Sequence, residues 1–426
     1  MKTAYTNGKV LNGHEDMVPV AGLAVLVNGE TITGVVSAEK IPPGHTTVDL
    51  RGGYLMPGLI NLHVHIPGSG KPSKKQMDTK KLVKLITSNR LTRKIGMNMC
   101  ASYAQTELMS GVTTIRSVGG IQDFDSRLRD QIHAGKTIGP RILAGNMAIS
   151  VPGGHMAGSL AYEATSPEEA AAFVRKIAQD KPDLIKLMVT GGVLDAEKKG
   201  EPGVLRMAPE LVKAACDEAH RLGLRVAAHV ESPQGVQVAL ENGVDTIEHG
   251  AKPTEEILRL FQERNSALIA TLSPAIPYAL FDPAVSHCDE MGRYNGTIVF
   301  EGIVECAKAC LAAGIPVGLG TDTGCPFATH YNMWRELHHF CKFCDVTPAF
   351  ALSTATKGNA KIAGLGDTLG TIEAGKCADM IVSRKNPLEG LNALRQLDMV
   401  ITRGRRINVP KVKKMAQVEQ ELDRFL

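Results

Sequence analysis

Two histidines one residue apart, at the end of an apolar run, are the first residues of this chain that could do chemistry. His63 and His65 follow the run 56–62 and are separated by Val64. On a β-strand, side chains two residues apart point to the same face, so both imidazoles share a face and Val64 points away. Imidazole is the commonest metal-binding side chain, so the pair can hold one ion. An isolated pair of this spacing is more often two ordinary histidines.

The elements that must position these histidines alternate regularly along the chain. Short apolar runs rich in β-branched residues recur, with longer helical patterns between them. The runs span residues 59–65, 112–118, 141–146, 184–190, 225–230, 246–250, 267–273 and 316–322. Eight strands that alternate with helices predict an α/β protein with a closed parallel (β/α)8 TIM-like barrel. The alternative is a doubly wound open sheet, which the number of runs disfavours.

Ionisable side chains recur at the carboxyl ends of these runs, where a barrel enzyme has its active site. The candidates are His63, His65, Lys186, His229, His249 and Asp322. Lys186 alternates with apolar residues that face the helix layer, so its side chain is predicted to point into the barrel. A buried amine is unfavourable unless it is paired or chemically modified. The shared location of these residues favours a metal-dependent active site over ordinary core histidines.

The two ends of the chain do not follow this alternation. Residues 1–55 and 368–410 contain short strand patterns separated by turns. We predict a small β-sandwich domain built from both termini, with the (β/α)8 barrel of residues 56–367 inserted between its halves. Residues 411–426 have an amphipathic helical pattern, which predicts a C-terminal helical tail.

The composition narrows the classes of function. Lys and Arg number 48 and Asp and Glu number 44, and the net charge of +4 gives no basis for nucleic-acid binding. No apolar run reaches the roughly 18 residues that span a membrane, and the amino terminus lacks the apolar core of a signal peptide. Scattered cysteines without a secretion signal predict reduced thiols and a cytoplasmic location. The basic stretch of Lys71, Lys74 and Lys75 is either a solvated loop or an attraction for anionic substrates.

A group of histidines and cysteines near residue 340 is a second candidate metal site. His338, His339, Cys341 and Cys344 lie close together in the sequence. Two histidines and two cysteines can hold a structural zinc ion. No second group of this kind completes such a site, so the favoured interpretation is a helix whose cysteines pack as small apolar side chains.

The motifs that carry the candidate ligands resemble those of the amidohydrolase superfamily. They are spread over almost the whole chain: Pro57 to His65, Glu248-His249-Gly250, Gly320 to Gly324, and Gly375 to Met380. The chain is most similar to the prolidase-like and imidazolonepropionase-related branch. The strand that carries Lys186, with Gly191 and Gly192 close behind it, resembles that of the binuclear dipeptidases in this branch.

The resemblance implies a cofactor and a role for each candidate. It implies two divalent metal ions, usually zinc, bridged by a carboxylated Lys186. The other implied ligands are His63, His65 and Asp322 for one ion, and His229 and His249 for the second. A metal-bridging hydroxide forms near neutral pH in such sites, and Asp322 serves as general base and then as general acid. The implied reaction is hydrolysis of an amide or peptide C–N bond in a small molecule, by a homo-oligomeric enzyme.

Three further residues are candidates for contact with the substrate. His155 lies in a Gly-Gly-His loop, similar to loops that reach the substrate in the relatives, and His330 follows the eighth predicted strand. Either can instead be an ordinary loop histidine. Glu231 stands where the peptidase relatives commonly carry a tyrosine that binds the substrate's terminal carboxylate. A carboxylate there repels that group and attracts an amine or guanidinium. An N-acyl amino acid or a cyclic amide is therefore an alternative to a dipeptide as the predicted substrate.

Two rival functions differ from a binuclear dipeptidase or amidase. One is a mononuclear deaminase or ring-opening hydrolase of the imidazolonepropionase type. Those relatives generally lack the bridging lysine, so Lys186 argues against it. The other is a scaffold protein without enzymatic activity. Scaffolds in the superfamily have lost metal ligands, whereas this chain has the full set.

Overall fold

Parallel strands alternate with helices through the middle of the chain in the computed structural model, which describes residues 2–72 and 78–426. Lys74 and Lys75 of the basic stretch lie outside the described residues. The parallel strands form two sheets. The seven-stranded sheet contains, in spatial order, Ala161–Glu163, Ala148–Ser150, Leu184–Met188, Arg225–Val230, Thr246–His249, Ala267–Ala270 and Val317–Leu319. The three-stranded sheet contains Leu59–Val64, Val112–Ser117 and Arg141–Ala144.

The strand predicted over residues 141–146 is divided in two. It begins as Arg141–Ala144 and resumes as Ala148–Ser150. Between the halves, Asn146 has a left-handed φ of 57°, which interrupts the extended backbone, and its N–H donates to Asp125 Oδ2 at 3.1 Å. The first half pairs within the three-stranded sheet and the second within the seven-stranded sheet. This divided strand therefore links the two sheets.

The other edges of the two sheets also meet. Val64 and Thr323 form an isolated parallel bridge. The side-chain amide of Asn359 donates to the backbone carbonyls of Ile60 at 2.7 Å and Leu319 at 2.8 Å, which belong to the first and last of the predicted strands. The predicted α/β class is confirmed. The order of the strands is consistent with a TIM-like barrel.

The helices begin at residues that suit a helix start. Pro167, Pro209 and Pro233 occupy the first turns of three helices, where a missing N–H is harmless. The longer helices are Thr79–Thr87, Arg90–Met109, Phe124–His133, Pro167–Ala178, Pro209–Arg221, Pro233–Glu241, Glu255–Arg264, Glu290–Ala312, Met333–Cys344, Pro348–Ser353 and Ala416–Leu422. None of the described helices combines the length and apolar character needed to cross a bilayer.

Strands from both ends of the chain form two further sheets. The four-stranded sheet contains, in order, Thr31–Ser37, Leu23–Asn28, Lys2–Thr6 and Thr46–Asp49. The five-stranded sheet contains Arg405–Asn408, Leu397–Thr402, Met380–Ser383, Tyr54–Pro57 and Lys9–Val10. Buried side chains of both sheets, including Val25, Ile32, Met380 and Ile401, belong to one hydrophobic cluster. The amino-terminal and carboxyl-terminal segments are therefore held together by shared pairing and packing.

The carboxyl-terminal tail contains a shorter helix than the sequence predicts. The pattern over residues 411–426 is helical only at Ala416–Leu422, followed by one 3-10 turn at Asp423–Phe425. Leu422 is buried in the main hydrophobic core. Asp423 accepts a hydrogen bond at 2.6 Å from Arg335, a buried residue of the helix Met333–Cys344. The tail is therefore docked on the helix layer.

We expect Leu422→Ala to lower the stability of the fold through this docking contact. Leu422 is 4% exposed, and truncation of a buried leucine removes about 2–5 kcal/mol. The measurement is the urea or thermal unfolding midpoint. Leu426→Ala is the control, because Leu426 is 41% exposed and its truncation should change stability by less than about 0.5 kcal/mol. Equal midpoints for the two variants would show that the tail does not contribute.

Candidate metal centre

The predicted metal ligands converge on one buried place. All of them are at most 8% exposed: His63, His65, Lys186, His229, His249 and Asp322. The ring centroid of His63 lies 5.3 Å from that of His65 and 4.8 Å from that of His249. The ring of His229 lies 4.7 Å from that of His249. Side chains from five different strands or strand ends are thus brought into one cluster.

Each of the first two histidines has one nitrogen fixed by the protein and one free. His63 Nδ1 donates to Glu248 Oε2 at 2.8 Å, and His65 Nδ1 donates to the carbonyl of Gly119 at 3.0 Å. The Nε2 atoms of His63 and His65 lie 3.4 Å and 3.2 Å from Asp322 Oδ1. A hydrogen bond at one ring nitrogen that sets the orientation of the other is typical of metal-binding histidines.

The second pair of histidines is held in a similar way. His249 Nδ1 hydrogen-bonds Thr271 Oγ1 at 2.7 Å, which leaves Nε2 for the cluster. His229 Nε2 lies 3.3 Å from the carbonyl of Gly191, which leaves Nδ1. The ring of His229 also stacks on that of His155, with the centroids 4.2 Å apart.

Two groups of candidate ligand atoms have the spread of a metal site. The atoms of His63, His249 and Asp322 lie within 4.8 Å of one another, and so do those of His229, Glu231 and His249. Zinc bonds to nitrogen and oxygen are about 2 Å long, so the ligands of one ion lie within about 4 Å of each other. The shared His249 places the two groups side by side. The two groups are therefore candidate metal-binding groups that share one residue, His249.

Buried atoms without partners support the same fit. Lys186 Nζ, Glu231 Oε2 and Asp322 Oδ1 are buried and make no hydrogen bond to the described part of the chain. Buried polar atoms are almost always hydrogen-bonded, so such a group calls for an explanation. Divalent cations would satisfy both carboxylates and the free imidazole nitrogens. The residues present therefore fit a metal centre.

The protonation states favour metal binding. Burial and the charge of Lys186 lower the pKa of His63 to about 4, and burial also holds the pKa values of His229 and His249 well below the usual range. These imidazoles are neutral at pH 7, which is the form that binds metals. Although burial alone raises the pKa of Asp322, the neighbouring histidines hold it well below its usual range. Asp322 is therefore ionised.

Two other groups have pKa values displaced toward neutrality. Burial lowers the pKa of Lys186 to about 8, so a fraction of its amine is neutral near pH 7. Burial, together with the charges of Asp322 and Asp195, raises the pKa of Glu231 to about 8. Lys186 is 1% exposed, whereas Glu231 is partly buried with its Oε2 atom shielded from solvent.

The backbone is strained at two of the ligands. His249 has a φ of 70° and Asp322 a φ of 49°, values in the left-handed region that non-glycine residues rarely adopt. Such strain amounts to about 1–3 kcal/mol per residue and is concentrated at functional sites. Gly320, two residues before Asp322, allows the last strand to approach His63, because a Cβ at Gly320 would lie 2.4 Å from His63 Cβ.

A buried ion pair behind the cluster was not predicted. Glu248 is fully buried, and both of its carboxylate oxygens accept hydrogen bonds from Arg116 Nη2, at 2.6 Å and 2.8 Å. The same carboxylate accepts from His63. Burial raises the pKa of Glu248, but Arg116 and His63 together hold it below its usual range. A charged residue in the apolar run 112–118 was the available sequence signal for Arg116.

His155 lies beside the cluster and has a partner that the sequence did not indicate. Its Nδ1 hydrogen-bonds Asp195 Oδ2, and the same oxygen accepts from the N–H of Gly192 at 2.9 Å. The stacking on His229 places this pair directly against a candidate metal ligand. His155 Nε2 is left for a further contact.

His330 is engaged elsewhere. Its Nδ1 lies 3.1 Å from Glu107 Oε1, and its Nε2 donates to the carbonyl of Gly68 at 2.7 Å. Its ring stacks on that of Tyr103. Both ring nitrogens are therefore occupied, and His330 supports the loop after His65 without contacting the cluster through them.

The histidine and cysteine group of residues 338–344 is part of a helix. Cys344 is buried in the main core and Cys341 packs against it. Burial raises the pKa of the Cys341 thiol to about 11 and that of Cys344 to about 12, so neither forms a thiolate readily. Within residues 2–72 and 78–426, neither cysteine belongs to a group with metal-site spacing. The packing interpretation agrees with this environment.

Comparison with known proteins assigns the class. The model of the amidohydrolase family matches residues 54–407, so the chain belongs to the amidohydrolase family, and the predicted resemblance is confirmed. Family membership supports a metal-binding hydrolase that acts on C–N bonds, with a small-molecule amide as substrate.

Solved structures and a curated relative agree with this class. A "putative prolidase" from Bifidobacterium longum is 33% identical, has a TM-score of 0.88, and the match covers 99% of this chain and 98% of that one. A Xaa-Pro dipeptidase with bound methionine is 28% identical, with a TM-score of 0.83 and coverage of 96% and 100%. The imidazolonepropionase of Aromatoleum aromaticum is 24% identical over 350 residues, which are 78% of this chain and 77% of that protein.

Proposed function

We propose that the protein is a binuclear zinc hydrolase that cleaves the amide bond of a dipeptide or an N-acyl amino acid. The observation that carries the proposal is the burial of Lys186, whose Nζ makes no hydrogen bond to any described residue. Lys186 lies on the strand that pairs with the strand of His229. A single metal ion needs no bridging ligand, so a mononuclear site does not explain an unpaired buried amine. A carboxylated lysine presents two oxygens and replaces a buried cation with an anion.

The proposed ligand sets divide the clustered candidates between two ions as the family resemblance implies, with His249, whose ligand atom lies near those of His63, Asp322 and His229, assigned to the second ion. His63, His65 and Asp322 would hold one ion, His229 and His249 would hold the other, and carboxylated Lys186 would bridge them. When bound, the ions polarise the amide carbonyl and lower the pKa of water. The chain supplies neutral imidazoles whose opposite nitrogens are fixed by hydrogen bonds.

Asp322 is the proposed catalytic base and acid. Its carboxylate is ionised and lies at the centre of the cluster, and its backbone is held in a strained conformation. It takes a proton from the attacking water and returns it to the nitrogen that leaves as the C–N bond breaks. Positioning of this one group for both transfers is the main contribution of the protein to the chemistry.

His155 is the proposed contact on the substrate side, and Glu231, for which the sequence predicts the same role, lies beside the ligand atoms of His229 and His249. Asp195 fixes Nδ1 of His155, so Nε2 can donate to a carboxylate or carbonyl of the substrate. His330, through its hydrogen bond to Gly68, is proposed to hold the loop after His65 rather than to bind substrate itself.

The wider organisation of the chain is part of the proposal. We propose a closed barrel over residues 56–367, a β-sandwich over residues 1–55 and 368–410, and the tail over 411–426. The cysteines of the described residues are all unpaired, which favours the reducing cytoplasm. Exposed Leu85, Leu91 and Ile95, on two neighbouring helices, favour association into a homo-oligomer.

The second candidate is a ring-opening hydrolase of the imidazolonepropionase type, with a single ion. It is supported by the similarity to the imidazolonepropionase relative. The buried, unpartnered amine of Lys186 counts against it, because a single ion needs no bridging ligand.

We expect protein produced with zinc and bicarbonate to contain about two equivalents of zinc. Elemental analysis gives the count, and a panel of dipeptides, N-acyl amino acids and cyclic amides gives the substrate. Removal of the metal with a chelator should abolish hydrolysis, and added zinc should restore it. Full activity with a stable single equivalent, or turnover of cyclic amides alone, would favour the ring-opening alternative.

A further inference from the structure

We propose that Glu231 is a third protein ligand of the second metal ion, together with His229 and His249. This inference rests on the proposed function, because it assigns one more ligand to the binuclear centre. It differs from the sequence-based expectation that Glu231 contacts the substrate.

The first observation is the distance between the donor atoms. A carboxylate oxygen of Glu231 lies within 4.8 Å of the ligand atoms of both His229 and His249. Two imidazoles and one carboxylate form a common zinc ligand set. The three residues come from two adjacent paired strand ends, so the backbone already holds them close.

The second observation is an unsatisfied oxygen. Glu231 Oε2 is buried and accepts no hydrogen bond from any described residue. A buried carboxylate oxygen without a partner is strongly unfavourable. An ion between Glu231 and the two histidines would satisfy this oxygen and two imidazole nitrogens at once.

The third observation is the sign of the surrounding charge. The charged groups that act most strongly on Glu231 are Asp322 and Asp195, and both are negative. Glu231 forms no ion pair with a described lysine or arginine. A substrate amine would be present only during turnover, whereas a resident ion compensates the carboxylate in the resting enzyme as well.

The fourth observation is that the backbone of Glu231 is fixed. Its N–H donates to Thr190 Oγ1 at 3.0 Å. Its carbonyl packs against Gly203, where an added Cβ would lie only 2.3 Å from the carbonyl oxygen. The carboxylate is thus carried by a rigid segment, which suits a ligand better than an adaptable substrate contact.

The test is the metal content of Glu231→Gln, a replacement that keeps the shape and removes the charge. After dialysis against a weak chelator, wild type should retain about two equivalents of zinc and Glu231→Gln about one. Competition with a chromophoric chelator should show that the weaker site loses at least about 100-fold in affinity, since changes in the outer shell alone lose 10–100-fold. The visible absorption of the cobalt-substituted proteins reports the change in coordination independently of activity.

Asp195→Asn is the matched control. It removes a negative charge near Glu231 but no atom of the ligand group, so it should retain two equivalents. Glu231→Ala with added acetate distinguishes loss of a ligand from misfolding. A free carboxylate should restore the second equivalent of zinc if the site is otherwise intact.

Three results would count against the inference. If Glu231→Gln binds two equivalents of zinc with unchanged affinity, this inference is wrong but the binuclear proposal stands. A loss of activity confined to cationic substrates would then indicate that Glu231 contacts the substrate. If Asp195→Asn loses more zinc than Glu231→Gln, the loss of metal reflects the total negative charge near the site and not direct coordination by Glu231. A single equivalent in wild type would overturn the binuclear proposal and this inference with it.

Discussion

Lys186→Ala should remove nearly all hydrolytic activity, with kcat/KM falling by about 1,000-fold or more. A loss of this size corresponds to about 4 kcal/mol of transition-state stabilisation, which is within the several kcal/mol that metal ions supply in such reactions. Lys186 is 1% exposed and its Nζ has no described partner, so alanine removes the proposed bridge without breaking a hydrogen bond that the fold needs. The measurement combines kcat/KM on the best substrate with the zinc content.

Chemical rescue separates the bridging role from a structural one. Short carboxylic acids should restore part of the activity and of the metal content of Lys186→Ala, because they can stand in for the carbamate. Lys213→Ala is the control, since Lys213 is an exposed helix residue paired with Asp217. If Lys186→Ala keeps two zinc ions and activity within tenfold of wild type, Lys186 is not the bridge.

The clustering of the candidate ligands was predictable because two simple regularities coincide. Alternation along a strand places His63 and His65 on one face, and parallel strands that alternate with helices bring their carboxyl ends together. The structure brings Lys186, His229 and Asp322 to the same place, although those positions are separated by long stretches of sequence. The type of each residue and its position at the end of an apolar run were enough to predict that these side chains cluster.

The supporting residues could not be predicted from the same regularities. Thr271 and Gly119, which follow strands, contact the candidate metal ligands, and Asp195, in a 3-10 turn, contacts His155; the spacing of these residues has no period. The contact that occupies Nδ1 of His330 is made with Glu107, which is far away in the sequence. These contacts depend on how loops fold back, and a pattern of strands and helices does not specify that.

The departures of the fold from its predicted pattern have local causes. The third strand is interrupted where Asn146 adopts a left-handed conformation stabilised by Asp125, which a strand pattern does not reveal. The tail helix begins only at Ala416, after Lys411, Lys413 and Lys414. Repulsion within this basic segment opposes an earlier start, because like charges one turn apart on a helix are destabilising.

Arg116→Met should be the most destabilising single replacement considered for this centre. Arg116 is 5% exposed, and its guanidinium donates to Glu248, to Thr246 Oγ1 at 3.1 Å and to the carbonyl of Leu62 at 2.6 Å. Removal of one partner of a buried ion pair leaves an uncompensated charge and destabilises by about 3–5 kcal/mol. The unfolding midpoint measures this effect, and zinc content measures its consequence for His63, whose Nδ1 depends on Glu248.

Two comparisons identify the cause of the loss. Arg259→Met removes an arginine that pairs with Glu256 and Glu263 on an exposed helix surface, where such pairs contribute about 0–1 kcal/mol. The double replacement Arg116→Met with Glu248→Gln should recover part of the stability, because the stranded charge is gone while an amide oxygen can still accept from His63. A double variant no more stable than Arg116→Met would mean that lost packing, and not the buried charge of Glu248, dominates. Recovery of stability together with zinc binding would show that the ion pair stabilises the centre by neutralising the carboxylate that orients His63.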